Sequence, residues 1–406
     1  MKVEVINTGS ELLLGQVTNT HVGWLGRSLS DLGLRIDRQM TVPDGPAIRQ
    51  ALVEALERAD LIVVTGGLGP TSDDITRDVA AELLGRKLVY EPAIMAKIEG
   101  YFKRRNIVPA ALVKVQAMVP EGALVLSNDF GTAPGLLLER DGKALVLLPG
   151  PPRELKPMWE NEVLPWLKKR IGLSQGEHQR IWRILGLGES RVQEILEEAL
   201  KGKGDFEFGY CSRPGEVDFR LITADAGSLK KADLFIRSKL GDSIYAEGDE
   251  TMEAVVIRAA TKRKRTLVTA ESCTGGLLGN RLTNVPGSSR VFIGGWIPYS
   301  NKLKERQLGI PGGLLKKHGA VSEPVVVAMA RNALRLSGAD LAVAVSGVAG
   351  PEPGTKEKPA GLLWVALATR KSTLALKKNL PTDRETYKYS ASQVALDLLR
   401  RELNKK

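Results

Sequence analysis

The chain has 406 residues, of which 43% are hydrophobic and 26% are charged, and its formal net charge is +11. This length predicts two or three domains, and the composition is that of a globular protein with sizeable cores. The sequence has no run of 18 apolar residues and no signal-peptide pattern at its N-terminus. We therefore expect no membrane span and a cytoplasmic location.

Cysteine and histidine are scarce. The two cysteines, Cys211 and Cys273, show no paired spacing, so we expect no disulfide framework and a reducing compartment. The three histidines, His21, His178 and His318, lie far apart in sequence. A zinc site built from histidines or a Ser-His-Asp triad therefore has few candidates.

The positive charge is spread along the chain. Its densest runs are Lys262–Arg265 and Leu167–Arg170, neither is interleaved with aromatic residues, and aromatics make up only 5% of the chain. This pattern favours a solvated basic surface over a nucleic-acid site. Such a surface attracts phosphorylated metabolites.

The first 170 residues alternate strand and helix patterns. Continuous apolar runs that end in glycine are typical of strands buried on both faces. The alternation predicts a parallel, doubly wound α/β sheet whose ligands bind at the carboxyl ends of the strands. The predicted elements are strands at 2–9, 34–42, 60–67 and 144–152 and helices at 19–32, 44–59, 73–84 and 92–105.

A polar, turn-rich segment, Lys168–Gln179, predicts a domain boundary. The following 70 residues predict a small α+β module, and the remainder predicts a second α/β domain. The module has predicted strands at 181–187, 206–211, 217–223 and 243–248 and helices at 189–201 and 229–240. The last domain has predicted strands at 266–276, 290–300, 339–351 and 361–369 and helices at 252–263, 277–282, 325–336 and 384–402.

The segment TGGLGPTSDDIT, Thr65–Thr76, predicts the first site. Its glycines permit close approach of a ligand, and amides at the start of a helix attract phosphate. Asp73 and Asp74 can hold a hard divalent cation that bridges to phosphate oxygens. The alternative is a Gly-Pro turn in which Asp73 caps the helix. The segment lacks the GxxxxGK[ST] pattern, which excludes an ordinary P-loop NTPase.

Three more loops follow predicted strands: TGSELLLGQ, NDFGTAPG and LPGPPREL. Together with the glycine segment they resemble the N-terminal domain of the CinA family of competence/damage-inducible proteins, which is similar to the molybdopterin-binding fold. The resemblance implies metal-dependent hydrolysis of ADP-ribose to AMP and ribose 5-phosphate, with Mg²⁺, Mn²⁺ or Co²⁺ as the metal. His21 departs from the asparagine expected in the family.

The same resemblance implies the site residues of this domain. The implied metal ligands are Glu11, Asp73 and Asp74. The implied substrate contacts are Gly66, Gly67, Gly69 and Thr71.

The segment AESCTGG, Ala270–Gly276, predicts the second site because it puts Ser272 between a strand and a helix. A serine nucleophile needs a base, and with so few histidines a desolvated lysine is the natural substitute. The segment YSNKLK offers Tyr299, Lys302 and Lys304. The alternative is that Ser272 caps a helix and YSN forms a turn.

Cys273 is a rival nucleophile, since thiols are intrinsically stronger than hydroxyls. No histidine lies near it in sequence, so we expect a small buried residue instead. We expect His318, in HGAVSEP, to be a structural cap or a surface residue.

The segments TAESCTGG, PGSS, YSNKLK, HGAVSEPVV and SGVAGP, with a later DR, resemble the nicotinamide mononucleotide (NMN) amidohydrolase domain found in CinA proteins. The resemblance implies that Ser272 attacks the carboxamide of NMN and that Lys304 takes its proton. Tyr299 would assist proton transfer or hold that base, and Ser346 would orient the site. Ammonia leaves, and water releases nicotinic acid mononucleotide without any metal or cofactor.

The resemblance also implies substrate contacts in this domain. Arg384 would bind the phosphate or carboxylate side of the nucleotide, and Gly287 would lie near it. Backbone amides of Thr274, Gly275 and Gly276 would hold the oxyanion.

The resemblance covers nearly the whole chain and predicts domains at 1–170, 178–249 and 251–406. The middle module resembles the KH-like segment of CinA but has no GXXG clamp, so we expect a hinge or dimerisation role and no nucleic-acid partner. Homodimers are expected. The leading hypothesis is a bifunctional pyridine-nucleotide salvage enzyme. The alternatives are a deamidase with a non-catalytic nucleotide- or pterin-binding domain, and a competence or DNA-damage scaffold that recruits a recombinase.

Overall fold

The computed structural model describes residues 1–171 and 178–405. The chain divides into two compact units, Met1–Glu177 and His178–Lys406. Half of the predicted boundary segment, residues 172–177, lies outside the described residues.

The first unit is built on a six-stranded sheet with the order β2-β1-β3-β8-β7-β6, and β4 pairs with β5 in a separate ribbon. Strands β2, β1, β3 and β8 are parallel, while β7 and β6 run antiparallel to their neighbours. The strands are β1 Val3–Thr8, β2 Ile36–Val42, β3 Leu61–Thr65, β4 Leu88–Tyr90, β5 Met118–Pro120, β6 Leu124–Leu126, β7 Gly135–Arg140 and β8 Lys143–Leu148.

Helices cover both faces of this sheet because alternate strand residues point to opposite sides. Ile62 and Val64 of β3 belong to one apolar core, and Leu61 and Val63 belong to the other. Each such fully buried side chain contributes roughly 1.5–3 kcal/mol. The helices are α1 Ser10–Leu13, α2 His21–Ser30, α3 Ala47–Arg58, α4 Thr76–Leu83, α5 Pro92–Lys103, α6 Pro152–Met158 and α7 Leu164–Ile171.

The second unit opens with an α+β module that carries a four-stranded antiparallel sheet with the order β10-β11-β9-β12. Its core is aromatic, with Trp182 stacked on Phe219 at a centroid separation of 5.8 Å. Its elements are β9 His178–Leu185, α8 Glu189–Leu200, β10 Glu207–Arg213, β11 Glu216–Thr223, α9 Ala226–Leu240 and β12 Ile244–Glu247.

The rest of the second unit is a five-stranded sheet with the order β14-β13-β15-β16-β17, in which β14, β13 and β15 are parallel. Val343 and Val345 face one core and Ala342 and Ala344 face the other, so helices again cover both sides. The strands are β13 Leu267–Glu271, β14 Phe292–Trp296, β15 Leu341–Gly347, β16 Leu362–Thr369 and β17 Thr373–Asn379. The helices are α10 Met252–Arg263, α11 Leu277–Thr283, α12 Asn301–Leu308, α13 Gly312–His318, α14 Glu323–Ser337 and α15 Arg384–Asn404.

The predicted α/β fold class is confirmed, with two mainly parallel sheets separated by a small α+β module. The strand predicted at 290–300 is shorter and ends at Trp296, and the unpredicted helix α12 begins at Asn301. Proline has no amide to donate to a sheet, so Pro298 cannot continue the strand. No helix in the described part of the chain is long and apolar enough to cross a membrane.

Candidate active sites

Ser272 follows β13, the strand that lies between the parallel strands β14 and β15. Its amide donates to the carbonyl of Val345 at 3.0 Å, which fixes the residue at the carboxyl end of the sheet. Helix α11 begins at Leu277, and Gly276 holds the cap position with φ of 96°. The interpretation of Ser272 as a helix cap is therefore wrong.

Lys304 contacts the hydroxyl of Ser272. It lies on α12, whose first turn is capped by Ser300, and its side chain is fully buried. The Nζ atom is 3.0 Å from Ser272 Oγ and also donates to the carbonyls of Pro298, at 2.7 Å, and Tyr299, at 3.1 Å. Burial lowers the pKa of the Lys304 ammonium to about 8, because the charged form loses its hydration.

These three contacts define what Lys304 can do when it loses a proton. An ammonium has three donors and an amine has two donors and one lone pair. With the two carbonyls of Pro298 and Tyr299 holding the remaining N–H groups, the lone pair points at Ser272. The arrangement suits a general base for the hydroxyl.

Glu271, which the sequence analysis missed, organises the turn after Ser272. It accepts hydrogen bonds from the Thr274 hydroxyl at 2.7 Å and from the amides of Gly276, Leu278 and Gly279 at 3.0, 2.9 and 2.8 Å. A carboxyl directly before the predicted nucleophile, inside a buried strand, was the available signal.

The predicted oxyanion donors need correction. The Gly275 amide donates to the Ser272 carbonyl at 3.1 Å, and the Gly276 amide donates to Glu271, so neither is available to an oxyanion. The Thr274 side chain is buried and also donates to Glu271. Within the described chain, no other residue accepts a hydrogen bond from the amides of Cys273 and Thr274, and the Cys273 amide contacts only its own thiol. They are the donors that the turn leaves available.

Tyr299 holds Lys304 through its backbone carbonyl and not through its hydroxyl. Its ring is 57% exposed, and the hydroxyl accepts a hydrogen bond from Arg384 Nη2 at 3.1 Å. Arg384 Nη1 donates to the Gly350 carbonyl at 2.7 Å. One helical turn further along α15, Lys388 Nζ lies 4.0 Å from the point where a Cβ on Gly275 would sit. Its spacing of four residues from Arg384 was the missed signal.

Among the described residues, neither Ser346 nor Gly287 is hydrogen-bonded to Ser272 or to the Lys304 amine. Ser346 is buried at the end of β15 and donates to the Ala320 carbonyl at 2.8 Å, so it ties that strand to the HGAVSEP loop. Gly287 has φ of 81° and precedes a short 3-10 turn. The role of Gly287 stays a prediction.

Cys273 is buried, as expected, and burial raises the pKa of its thiol to about 12. A thiol in that state is not a nucleophile near neutral pH. His318 contributes a structural contact, because its carbonyl accepts a hydrogen bond from Lys358 Nζ at 2.6 Å.

The predicted first site is a cleft of about 520 Å³ in the first unit. Six of the seven residues predicted for this site line the cleft, and Thr71 does not. The acidic residues Asp44 and Glu154 also line it. Gly66 and Gly67 have φ of 102° and 67°. A Cβ on Gly66 would lie 2.5 Å from Thr8 Oγ1, so only glycine permits this approach of β3 to β1.

Asp74 is held against the glycine loop. Its Oδ2 accepts hydrogen bonds from the Thr71 amide, at 3.0 Å, and from the Thr71 hydroxyl. A Cβ on Gly69 would collide with the same carboxylate oxygen. Helix α4 begins at Thr76 with Ile75 in the cap position, so the alternative in which Asp73 caps the helix is wrong.

Glu11, Asp73 and Asp74 line one cleft but do not form a ready-made metal cage. Among the described residues, no three His, Cys, Asp or Glu side chains are placed to hold a metal ion together. Mg²⁺ commonly binds one or two carboxylates and completes its shell with substrate phosphate and water. The hard oxygen donors of this cleft suit an ion shared with a phosphorylated substrate.

His21 links the ends of strands β1 and β3. Its Nδ1 lies 3.2 Å from Thr65 Oγ1, which donates to Asn7 Oδ1 at 3.0 Å. Burial lowers the pKa of the imidazole, so His21 acts as a neutral polar partner in this network.

Family models match three parts of the chain. The probable molybdopterin binding domain matches residues 4–169, the damage-inducible protein CinA KH domain matches 179–246, and the CinA C-terminal domain matches 249–403. A CinA-like protein of Akkermansia muciniphila is 45% identical over 399 residues, covering 98% of this chain and 96% of that protein. The chain belongs to the CinA family.

Other CinA proteins are also similar to this chain. A CinA-like protein of Kosmotoga olearia is 40% identical over 411 residues, covering 99% of each chain. The crystal structure of competence damage-inducible protein A from Klebsiella pneumoniae is 38% identical and covers 37% of this chain and 94% of that one, with a TM-score of 0.37. The predicted CinA resemblance, with its molybdopterin-binding-like and KH domains, is confirmed.

The different surroundings of the two cysteines predict different reactivity. At pH 8 the exposed Cys211 should react with a thiol reagent in the native CinA protein, while Cys273 should not, because its thiol is buried and protonated. Mass spectrometry after labelling should find one modified cysteine in the native protein and two in denaturant. Rapid native labelling of Cys273 would contradict this account.

Proposed function

We propose that the C-terminal domain of this CinA protein is an amidohydrolase that converts NMN to nicotinic acid mononucleotide and ammonia. The observation that carries the proposal is the 3.0 Å contact between Lys304 Nζ and Ser272 Oγ, made by a buried lysine whose pKa is lowered to about 8. Perturbed titratable groups beside a nucleophile are typical of catalytic sites.

In the proposed reaction, Ser272 Oγ attacks the carboxamide carbon while its proton passes to Lys304 Nζ. The negative charge on the carbonyl oxygen faces the amides of Cys273 and Thr274. The carbon–nitrogen bond then breaks, and Lys304 returns the proton to the departing nitrogen, which leaves as ammonia. Water, deprotonated by the same amine, attacks the ester, and the acid leaves as Ser272 regains its proton.

Two cations support a nucleotide substrate. Arg384 and Lys388 lie one helical turn apart on α15; Lys388 Nζ lies near Gly275 in the turn that follows Ser272, and Arg384 contacts the Tyr299 hydroxyl. A mononucleotide carries a phosphate that such cations bind by charge-assisted hydrogen bonds. An uncharged primary amide has no anionic group for these side chains to bind, so we expect it to be a poorer substrate than a mononucleotide.

We further propose that the N-terminal domain hydrolyses ADP-ribose to AMP and ribose 5-phosphate with Mg²⁺, Mn²⁺ or Co²⁺. Support comes from the cleft in which the glycine loop faces acidic side chains. Glu11, Asp73 and Asp74 are the proposed ligands, and a metal bound there would neutralise phosphate charge. Gly66 and Gly67 let the backbone approach the pyrophosphate. The homodimer and the cytoplasmic location stay predictions.

Deamidase activity is tested by ammonia release from NMN in the presence of a chelator. Ser272→Ala and Lys304→Met should each lower kcat/KM by at least about a thousandfold, since they remove the nucleophile and its base. Lys302→Met is the matched control, because Lys302 is exposed on the same helix. If the wild type releases no ammonia, the deamidase proposal is contradicted and the scaffold hypothesis is favoured. If Ser272→Ala stays active, another group is the nucleophile.

The pH dependence follows from the direction of the Lys304 shift. The neutral amine is the active form, and with a pKa of about 8 roughly a tenth of it is neutral at pH 7. Activity should therefore rise nearly tenfold per pH unit well below pH 8, about fivefold from pH 7 to pH 8, and level off above about pH 9. Steady-state kcat/KM measured from pH 6.5 to 9.5 checks this, and a flat profile would rule out Lys304 as the base.

The N-terminal activity is tested with ADP-ribose and added metal. Gly69→Ala should reduce AMP release at least tenfold, because its Cβ displaces the Asp74 carboxylate, and Asp74→Asn should act in the same direction. Gly23→Ala is the matched control, because no atom lies near the added Cβ. Gly85→Ala would not serve, because Gly85 has a positive φ of 65° that strains alanine. Full activity in both site variants would favour a non-catalytic binding domain.

A further inference from the structure

Glu271 is a buried carboxylate beside the proposed nucleophile, and only 1% of its surface is exposed. It is the last residue of β13, and its backbone pairs with Val345 of the parallel strand β15. Burying a carboxylate costs free energy unless its oxygens are hydrogen-bonded. The acceptor sites of Glu271 must therefore be filled for this strand end to keep its position.

The donors that fill those sites all come from one short stretch of chain. Oε2 accepts from the Thr274 hydroxyl and from the amides of Gly276 and Leu278, and Oε1 accepts from the amide of Gly279. None of these four donors carries a formal charge. The carboxylate therefore clamps the turn at 274–279 by hydrogen bonds to fixed dipoles.

The clamp determines which amides stay free. The Glu271 carboxylate accepts a hydrogen bond from the Gly276 amide, and the Ser272 carbonyl accepts one from the Gly275 amide. Ile297 closes the other side, because a Cβ on Gly276 would lie 2.9 Å from its Cδ1. The turn is thus held from two directions, and the amides of Cys273 and Thr274 are left beside Ser272.

We propose that Glu271 is a positioning residue for the oxyanion: it holds the turn so that the amides of Cys273 and Thr274 face the carbonyl oxygen that Ser272 attacks. This inference rests on the proposed amidohydrolase function. Glu271 touches neither the substrate nor the reacting atoms, and it acts through the backbone. Preorganised donors stabilise the transition state more than the ground state, so their loss lowers kcat.

Two variants of Glu271 test the proposal. Glu271→Gln keeps the size of the side chain but places an NH₂ group against the donors of the turn at 274–279. Glu271→Asp keeps the carboxylate but shortens the side chain by one methylene. Each should lower kcat for NMN by about 10²–10³-fold, the effect typical of losing an oxyanion donor, with KM changed less than threefold. The pH midpoint near 8 should persist, because the Ser272–Lys304 contact is untouched.

Glu253→Gln is the matched control. Glu253 is also a largely buried carboxylate bound to α11, where it accepts from Arg281 Nη2 at 2.7 Å, but it does not contact the turn. If Glu271 only stabilises the fold, the two Gln variants should lose thermal stability and activity in parallel. The proposal requires a kcat loss in Glu271→Gln that Glu253→Gln does not share at equal folded fraction.

Thr274 gives a second test if the Glu271 variants fail to fold. Thr274→Val removes one donor to the clamp and should lower kcat about tenfold, and Thr274→Ser should recover most of that loss because it restores the hydroxyl. The inference would be overturned if the wild type is active and Glu271→Gln has the same kcat. If Glu271→Gln does not fold, an unchanged kcat in Thr274→Val would overturn it. An inactive wild type would instead overturn the proposed function.

Discussion

Burial of the Lys304 amine against Ser272 is the constraint on which the second unit depends. A lysine side chain without hydration prefers to be neutral, and this preference turns an ordinary cation into a base. The protein holds it with carbonyl groups, since a carboxylate partner would favour the charged form. Pro298, which follows the strand that ends at Trp296, supplies one of these carbonyls.

A buried carboxylate directly precedes the same serine in sequence. Amide and hydroxyl dipoles hold Glu271 and carbonyl dipoles hold Lys304, and these hydrogen bonds do not join the two side chains to each other. Both devices depend on the strand ends staying in place. The alternating cores of the sheet supply that rigidity, because Val345 packs on one face and also binds the Ser272 amide.

The sequence predicted the parallel strands of both sheets, several of which are continuous apolar runs that end in glycine, but it did not predict the antiparallel strands β6, β7 and β17. It also predicted the Ser272–Lys304 pair through family resemblance. It predicted that Tyr299 assists proton transfer or holds the base, but not that the backbone carbonyl makes this contact, because a hydroxyl and a carbonyl of one residue cannot be distinguished by sequence. The assignment of oxyanion amides failed for a related reason: hydrogen bonds of Gly275 and Gly276 depend on the path of the turn. Glu271 was missed because a carboxyl in a strand has no periodic signature.

The first unit uses the same strand ends with a different chemistry. Its glycine loop folds against Thr8 and leaves Asp74 tied to Thr71, so the acidic side chains surround an open cleft. Among its described residues, no three acidic side chains are placed to hold a metal ion together. A bound ligand would have to supply the missing oxygens.

The choice of dipoles as partners for Lys304 has a consequence for ionic strength. Dissolved ions screen exposed charges over about 10 Å at 0.1 M salt, but they reach a buried amine and its carbonyl partners poorly. The exposed Arg384 guanidinium has no such protection. Added salt should thus weaken the binding of an anionic nucleotide while leaving the proton transfer at Ser272 almost unchanged. Ionic strength therefore distinguishes substrate binding from the chemical step without any mutation.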